Sequence, residues 1–173
     1  MLDLVRNRRS ARRFDGSAVP AEAIALLKES LLRSPTSKNN RPWEFIFVDD
    51  AQLLHQLSSC KPHGAAFLKD APLAVVLVAD AEKSDVWVED CSIAAITLQY
   101  VAQSMDIGSC WVQVRKRFHE SGESAEMSVR QTLGISPHLR VASIVALGYR
   151  AEERPPVSKD KLEYHKIKQN RYS

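Results

Sequence analysis

Five arginines crowd the first thirteen residues: Arg6, Arg8, Arg9, Arg12 and Arg13, with Ser10 among them. A guanidinium is a rigid fork of donors that matches the oxygens of a phosphate group. Arg8 and Arg12 are four apart, so on a helical turn they share a face, with Arg9 close to it. Ser10 adds a hydroxyl donor. This set suits a cradle for one phosphate monoester. Taken alone, the same segment also reads as a solvated basic helix, one able to touch nucleic acid, and that plainer reading is favoured.

About thirty residues later comes Pro35-Thr36-Ser37-Lys38-Asn39-Asn40-Arg41-Pro42-Trp43. Thr36, Ser37, Asn39 and Asn40 place short hydrogen-bonding side chains on a loop that can read the polar edge of a planar heterocycle. Such residues favour turns in any case, so taken alone the loop reads first as an ordinary helix-to-strand connector. A third segment is Gly108-Ser109-Cys110-Trp111-Val112, also readable as a helix stop before a core strand. The fourth is Leu147-Gly148-Tyr149, followed by Glu152, Pro155, Pro156 and Lys161, also readable as a strand with a mobile tail.

Other chemistries find less support. Cys60, Cys91 and Cys110 are odd in number and widely spaced, which argues against a disulfide framework. No CxxC, HxxH or HExxH pattern points to zinc. Cys91 lies in an apolar helical stretch and reads as a small buried thiol. No Ser-His-Asp or paired-carboxylate arrangement stands out, so no side chain is assigned a catalytic role.

The elements that must position these residues follow from periodicity. Leu2 to Arg9 reads as a short helix with Leu4 and Val5 inward. Pro20, suited to a first turn, opens a helix to about Arg33, with Ile24, Leu27 and Leu31 at helical spacing; Ser34-Pro35 ends it. Trp43 to Val48 is a strand, followed by a helix from Ala51 to Ser58. Pro72 to Ala79 is a continuous apolar run, expected as a strand buried on both faces. Asp85 to Ile107 reads as one long helix. Val88, Cys91, Ala95, Leu98, Ala102 and Met105 form its apolar face, and Val86, Ile93, Ile96 and Val101 cover much of the rest. A helix so apolar belongs at the centre of a domain or dimer. Gly108 is placed to stop it. Cys110 to Val114 is a short apolar segment, Ala125 to Leu133 a helix with Gly134 past its end, and Val141 to Tyr149 a third strand. The mixed order implies α+β or layered α/β architecture.

The 173 residues fit one domain with a real core. Residues 150–173, polar and proline-rich at their start, should leave it as an extended arm. Net charge is +3, but Lys159, Lys161, Lys166, Lys168 and Arg171 form a second basic cluster, so the positive charge sits at the two ends. That asymmetry points to a phosphate or another anion. No apolar run is long enough for a membrane span. The N-terminus lacks the apolar stretch of a signal peptide, so the cytoplasm is the expected compartment.

The four segments, in this order, resemble the nitroreductase family across nearly the whole chain. That family shows an Arg-Arg-Ser-x-Arg-like start, a Ser-Ser-x-Asn-x-Gln-Pro-Trp-like loop, a Gly-x-Gly-Ser-Cys-Trp-like turn after the central helix, and Gly-Tyr before a proline-rich basic ending. The resemblance implies an α+β fold, with a central sheet flanked by helices and the C-terminal arm exchanged in a homodimer. It also implies FMN as cofactor. Arg8, Ser10 and Arg12, with Arg9 nearby, would hold the phosphate and ribityl end. Pro35, Thr36, Ser37 and Asn39 would come from the partner subunit to border the isoalloxazine ring. The backbone of Trp111, Val112 and Gln113 would face the ring near N5, and Lys161, with Lys159, would return from the arm to the phosphate.

The implied activity is ping-pong electron transfer from NADH or NADPH to a nitroaromatic, quinone or similar acceptor. The absence of a Rossmann glycine fingerprint fits a dinucleotide that only visits. Alternatives left open are a protein that holds flavin without turnover, and a specialised reaction such as reductive dehalogenation or flavin fragmentation. Neither a nucleic-acid partner nor a metal is expected. The sequence departs from the family pattern at Arg41 (usually Gln), Thr97 (often Asn), Asp106 (usually Gly) and Gln113-Val114 (often a Gly pair).

Overall fold

The computed structural model describes residues 1–172. Its four strands are β1 (Trp43–Val48), β2 (Leu73–Asp80), β3 (Ile107–Gln113) and β4 (Leu139–Tyr149). They form one antiparallel sheet in the order β1-β2-β4-β3. The helices are α1 (Leu2–Asn7), α2 (Ala21–Leu32), α3 (Ala51–Ser58), α4 (Trp87–Ser104) and α5 (Ala125–Leu133). The architecture is α+β, as expected.

Both faces of the sheet are covered. On one side Leu27 and Leu31 of α2 and Leu98 and Ala102 of α4 pack with Val75, Leu77 and Val145. On the other, Leu54 and Leu57 of α3 and Val129 of α5 pack with Val76, Val78 and Ile144. Alternate residues of β2 therefore serve opposite cores, which is why its sequence is apolar without alternation. Each fully buried leucine, such as Leu27 or Leu98, contributes about 1.5–3 kcal/mol.

Local signals set the helix ends. Asp50 caps α3 by accepting from the Gln52 and Leu53 amides, each at 2.9 Å. Ser124 caps α5 by accepting from the Met127 amide at 3.1 Å, and Gly134, left-handed at φ 65°, ends that helix.

Three expectations need correction. First, α1 stops at Asn7, and Arg8 is already extended at φ −63°, ψ 118°. Arg8 and Arg12 therefore do not share a helical turn, and Val5 is 47% exposed rather than inward. Second, the central helix is shorter than Asp85 to Ile107, and Gly108 does not stop it. Asp106, at φ 58°, makes the reversal, and Gly108 lies inside the next strand. Third, the segment read from Cys110 begins at Ile107 as a full edge strand, paired to β4 along its length. Gly108 and Ser109 near its start hid it from an apolar count.

Candidate functional site

The arginine segment forms a strap along the free edge of β3. Ser10 bridges Ser109 in parallel, and the Ala11 amide donates to the Ser109 carbonyl at 2.9 Å. Further on, the Asp15 amide donates to the Tyr149 carbonyl at 3.1 Å, and Phe14 bridges Arg150. Gly108 is required by this close approach. A Cβ there would lie 2.8 Å from the Ala11 Cβ and 2.5 Å from Cγ of Arg150. In an extended strap, side chains two and four apart point the same way, so Arg8, Ser10 and Arg12 stay together by a different geometry from the helical one expected.

This strap lines a cleft of about 1000 Å³. Arg6, Arg8, Arg9, Arg12, Arg154 and Lys159 surround it, Ser10 adds its hydroxyl, and among the described residues no Asp or Glu lines it. Leu2, Val5, Val157, Leu162 and Tyr164 form an apolar wall. Arg6 pairs with Asp3 at 3.1 Å and Arg154 with Glu152 at 2.9 Å. Arg9 and Arg12 make no ion pair among the described residues. Clustered guanidinium groups without acids suit an anion, and the apolar wall suits a ligand with a flat or aliphatic part. Lys161 closes the short 3-10 turn Lys159–Lys161 and does not line the cleft.

The charge of the strap reaches its neighbours. Burial pushes the Cys110 thiol up, while Arg12, Ser10, Arg8 and Lys61 pull it back. Burial first, and then Asp90, push Cys91 up to about 12. Neither thiol is an activated nucleophile.

The polar loop lies elsewhere in the subunit. Pro35, Thr36, Ser37 and Asn39 do not line the cleft. Lys38, Asn39 and Arg41 are left-handed at φ 50°, 57° and 47°, an unusual concentration of non-glycine residues in that region. The Arg41 amide donates to the Thr36 hydroxyl at 3.0 Å, and its guanidinium donates to the Asn39 carboxamide at 2.9 Å. Arg41 therefore shapes the loop itself. The Ser37 amide donates to buried Asp90 at 2.9 Å, and Asp90 also accepts from the Ser84 hydroxyl at 2.9 Å.

Trp111, Val112 and Gln113 end β3. The Trp111 indole donates to the Gln113 carboxamide oxygen at 2.9 Å, and the Gln113 side-chain Nε2 donates to the Arg115 carbonyl at 2.8 Å. Gln113 thus fixes the strand end. Thr97 turns its hydroxyl back to the Ile93 carbonyl at 2.8 Å. The structure brings together Arg8, Arg9, Ser10, Arg12 and Lys159, and leaves the loop and the β3 end outside that cleft.

Sequence reasoning missed Asp90, Gln99, Gln103, Arg150 and Arg154. Gln99 is buried, and its oxygen accepts from Arg8 and from the Ser109 hydroxyl, each at 3.4 Å. Gln103 accepts from Arg150 at 3.0 Å. A signal was present: Cys91, Ala95, Gln99 and Gln103 lie on one i, i+4 row, and the last two break its apolar character. Among the described residues, no group of His, Cys, Asp or Glu could hold a metal ion, and no helix is long and apolar enough to cross a membrane.

Comparison with known proteins bears on the family and the fold. The nitroreductase family model matches residues 5–60 and 54–149. A solved structure described as an FMN-dependent nitroreductase from Clostridium difficile R20291 is 39% identical. It superposes with a TM-score of 0.97, covering 99% of this chain and all of that one. A provisionally named NADH dehydrogenase/NAD(P)H nitroreductase of Methanothermobacter thermautotrophicus is 31% identical over 155 residues, 88% of this chain and 78% of the relative. A protein of the same provisional name from Archaeoglobus fulgidus is 32% identical over 157 residues, 88% of this chain and 87% of the relative. With four ordered segments, a matching sheet and relatives spanning most of its length, the chain belongs to the nitroreductase family.

Proposed function

We propose that this chain is an FMN-dependent oxidoreductase that works as a homodimer. The observation that carries the reading is the acid-free cleft, with Arg8, Arg9, Ser10, Arg12 and Lys159 on its wall, in a chain 39% identical to a protein described as FMN-dependent. The residues present fit the group: guanidinium forks for a phosphate, a hydroxyl for the ribityl chain, and an apolar wall beside them.

FMN, when bound, would supply the two-electron redox chemistry for a ping-pong reaction between NADH or NADPH and a nitroaromatic, quinone or similar acceptor. The chain's own work is binding and orientation. Arg8 and Arg12 hold the phosphate, with Arg9, Lys159 and Lys161 adding positive charge. The main chain from Trp111 to Gln113 presents a donor toward the ring edge, stiffened by the Trp111–Gln113 hydrogen bond. Pro35, Thr36, Ser37 and Asn39 border the ring from the partner subunit. That the loop does not line its own subunit's cleft supports this division. Residues 1–173 act as one FMN-binding unit, with the arm from 150 onward crossing to the partner.

The test is spectroscopic. Purified protein should carry one FMN per subunit, released on denaturation. NADH or NADPH should bleach it anaerobically, and a quinone or nitroaromatic should restore the colour. Steady-state plots at varied donor should be parallel. A colourless protein that cannot be reconstituted with FMN would overturn the reading. A yellow protein that neither dinucleotide reduces would leave a flavin carrier instead.

A further inference from the structure

The strap that carries the arginines is held by α4 at two points. Gln99 and Gln103 are four residues apart and lie on one face of that helix. Gln103 accepts from Arg150 at 3.0 Å, and Arg150 is the bridge partner of Phe14, at the far end of the strap. Gln99 is 6% exposed, and its carboxamide oxygen receives both Arg8 and the Ser109 hydroxyl at 3.4 Å. Ser109 is in turn the residue on β3 that bridges Ser10. One buried oxygen therefore meets the first arginine of the strap and the strand residue on which the strap is registered.

We propose that Gln99 is a positioning residue for the anion site, acting through Arg8. This rests on the FMN reading above and adds a residue to it. The chemistry favours a neutral acceptor here. A carboxylate would pair with Arg8 and cancel the charge offered to the phosphate, whereas a carboxamide directs the guanidinium and leaves its charge free. It also restrains a long side chain before the ligand arrives, which lowers the entropy lost on binding. Both contacts are long, so each is weaker than an ideal hydrogen bond.

The test compares FMN with riboflavin, which lacks the phosphate, by quenching of flavin fluorescence. Gln99→Met keeps the length of the side chain and removes the acceptor. It should weaken FMN binding about three- to tenfold, the scale of one modest hydrogen bond, and leave riboflavin binding unchanged. In an Arg8→Ala background the same substitution should have no further effect on FMN. Gln99→Glu, which keeps a polar side chain, covers the case in which the Met variant does not fold. It should also weaken FMN, and with a shallower salt dependence. Equal losses for FMN and riboflavin would reduce Gln99 to a general packing role. Wild-type FMN affinity in a folded Gln99 variant, or full additivity with Arg8→Ala, would overturn the inference while leaving the FMN reading intact. A wild-type protein that binds no FMN, with Gln99 untouched, would instead sink the reading on which the inference rests.

Discussion

At the residue scale, the structure gives the arginine cluster a different geometry from the one its spacing suggested. Four-residue spacing invites a helical face, yet Arg8 to Arg12 run extended beside β3. Alternation in an extended chain keeps Arg8, Ser10 and Arg12 on one side, and all three line the cleft. Arg12 has no ion pair among the described residues, so in the proposed site its guanidinium is free for the phosphate. Arg12→Ala should therefore lower FMN affinity by roughly one to two decades, since a hydrogen bond to a charged group is worth about 1.5–3 kcal/mol. Flavin fluorescence titration measures this. Unchanged affinity in the folded variant would return Arg12 to an ordinary surface role.

At the element scale, α5 is tied to β4 by one carboxylate. Glu126 receives Arg140 through two hydrogen bonds of 2.7 and 2.9 Å, and the Val141 amide at 3.1 Å. Burial alone would raise its carboxyl. The Arg140 and Val141 hydrogen bonds, with the charges of Arg140 and Arg130, outweigh burial and hold it below the usual glutamate range. A depressed folded value means that the contribution is fully present above the unfolded value, about 4.3. It is lost as pH falls through the lower folded value. Glu126→Gln should destabilise the protein at pH 7 by roughly 1–2 kcal/mol, a figure reduced because Arg140 is half exposed. The difference between variant and wild type should shrink as pH drops below about 4. Urea melts at pH 7 and pH 3.5 would show it, and a pH-independent difference would contradict this account.

At the scale of the whole molecule, the arm is the part that the subunit does not cover. Among the described residues none after Tyr149 packs on either core, and Val157, Leu162, Tyr164 and Ile167 are 53, 47, 57 and 72% exposed. On the body, Ile93 and Ile96 of α4 remain 40 and 38% exposed. In the proposed homodimer, a second copy of this chain would cover both patches at once. Deleting the chain from Val157 onward should lower both dimer stability and flavin retention. Sedimentation at micromolar concentration, with the absorbance of retained flavin, measures the two together. A full-length protein that sediments as a monomer would contradict the exchanged arm.

The sequence by itself determined the elements whose signals are local. The helices from 51 to 58 and 125 to 133 were legible along the chain, and the structure shows why: Asp50, Ser124 and Gly134 set their ends within a few residues of themselves. The unbroken apolar run near Val75 marked a strand covered on both faces. The ordered motifs marked the family. What only the tertiary structure decided depends on contacts between distant segments. The strap is extended because β3 offers it a free edge. Gly108 serves close packing against Ala11, and the helix stop falls instead to Asp106. Gln99 and Asp90 matter because folding brings Arg8 and the Ser37 amide to them, across 91 and 53 residues of chain. A buried polar side chain must find its partner wherever folding puts one, and no spacing rule along the chain encodes that meeting.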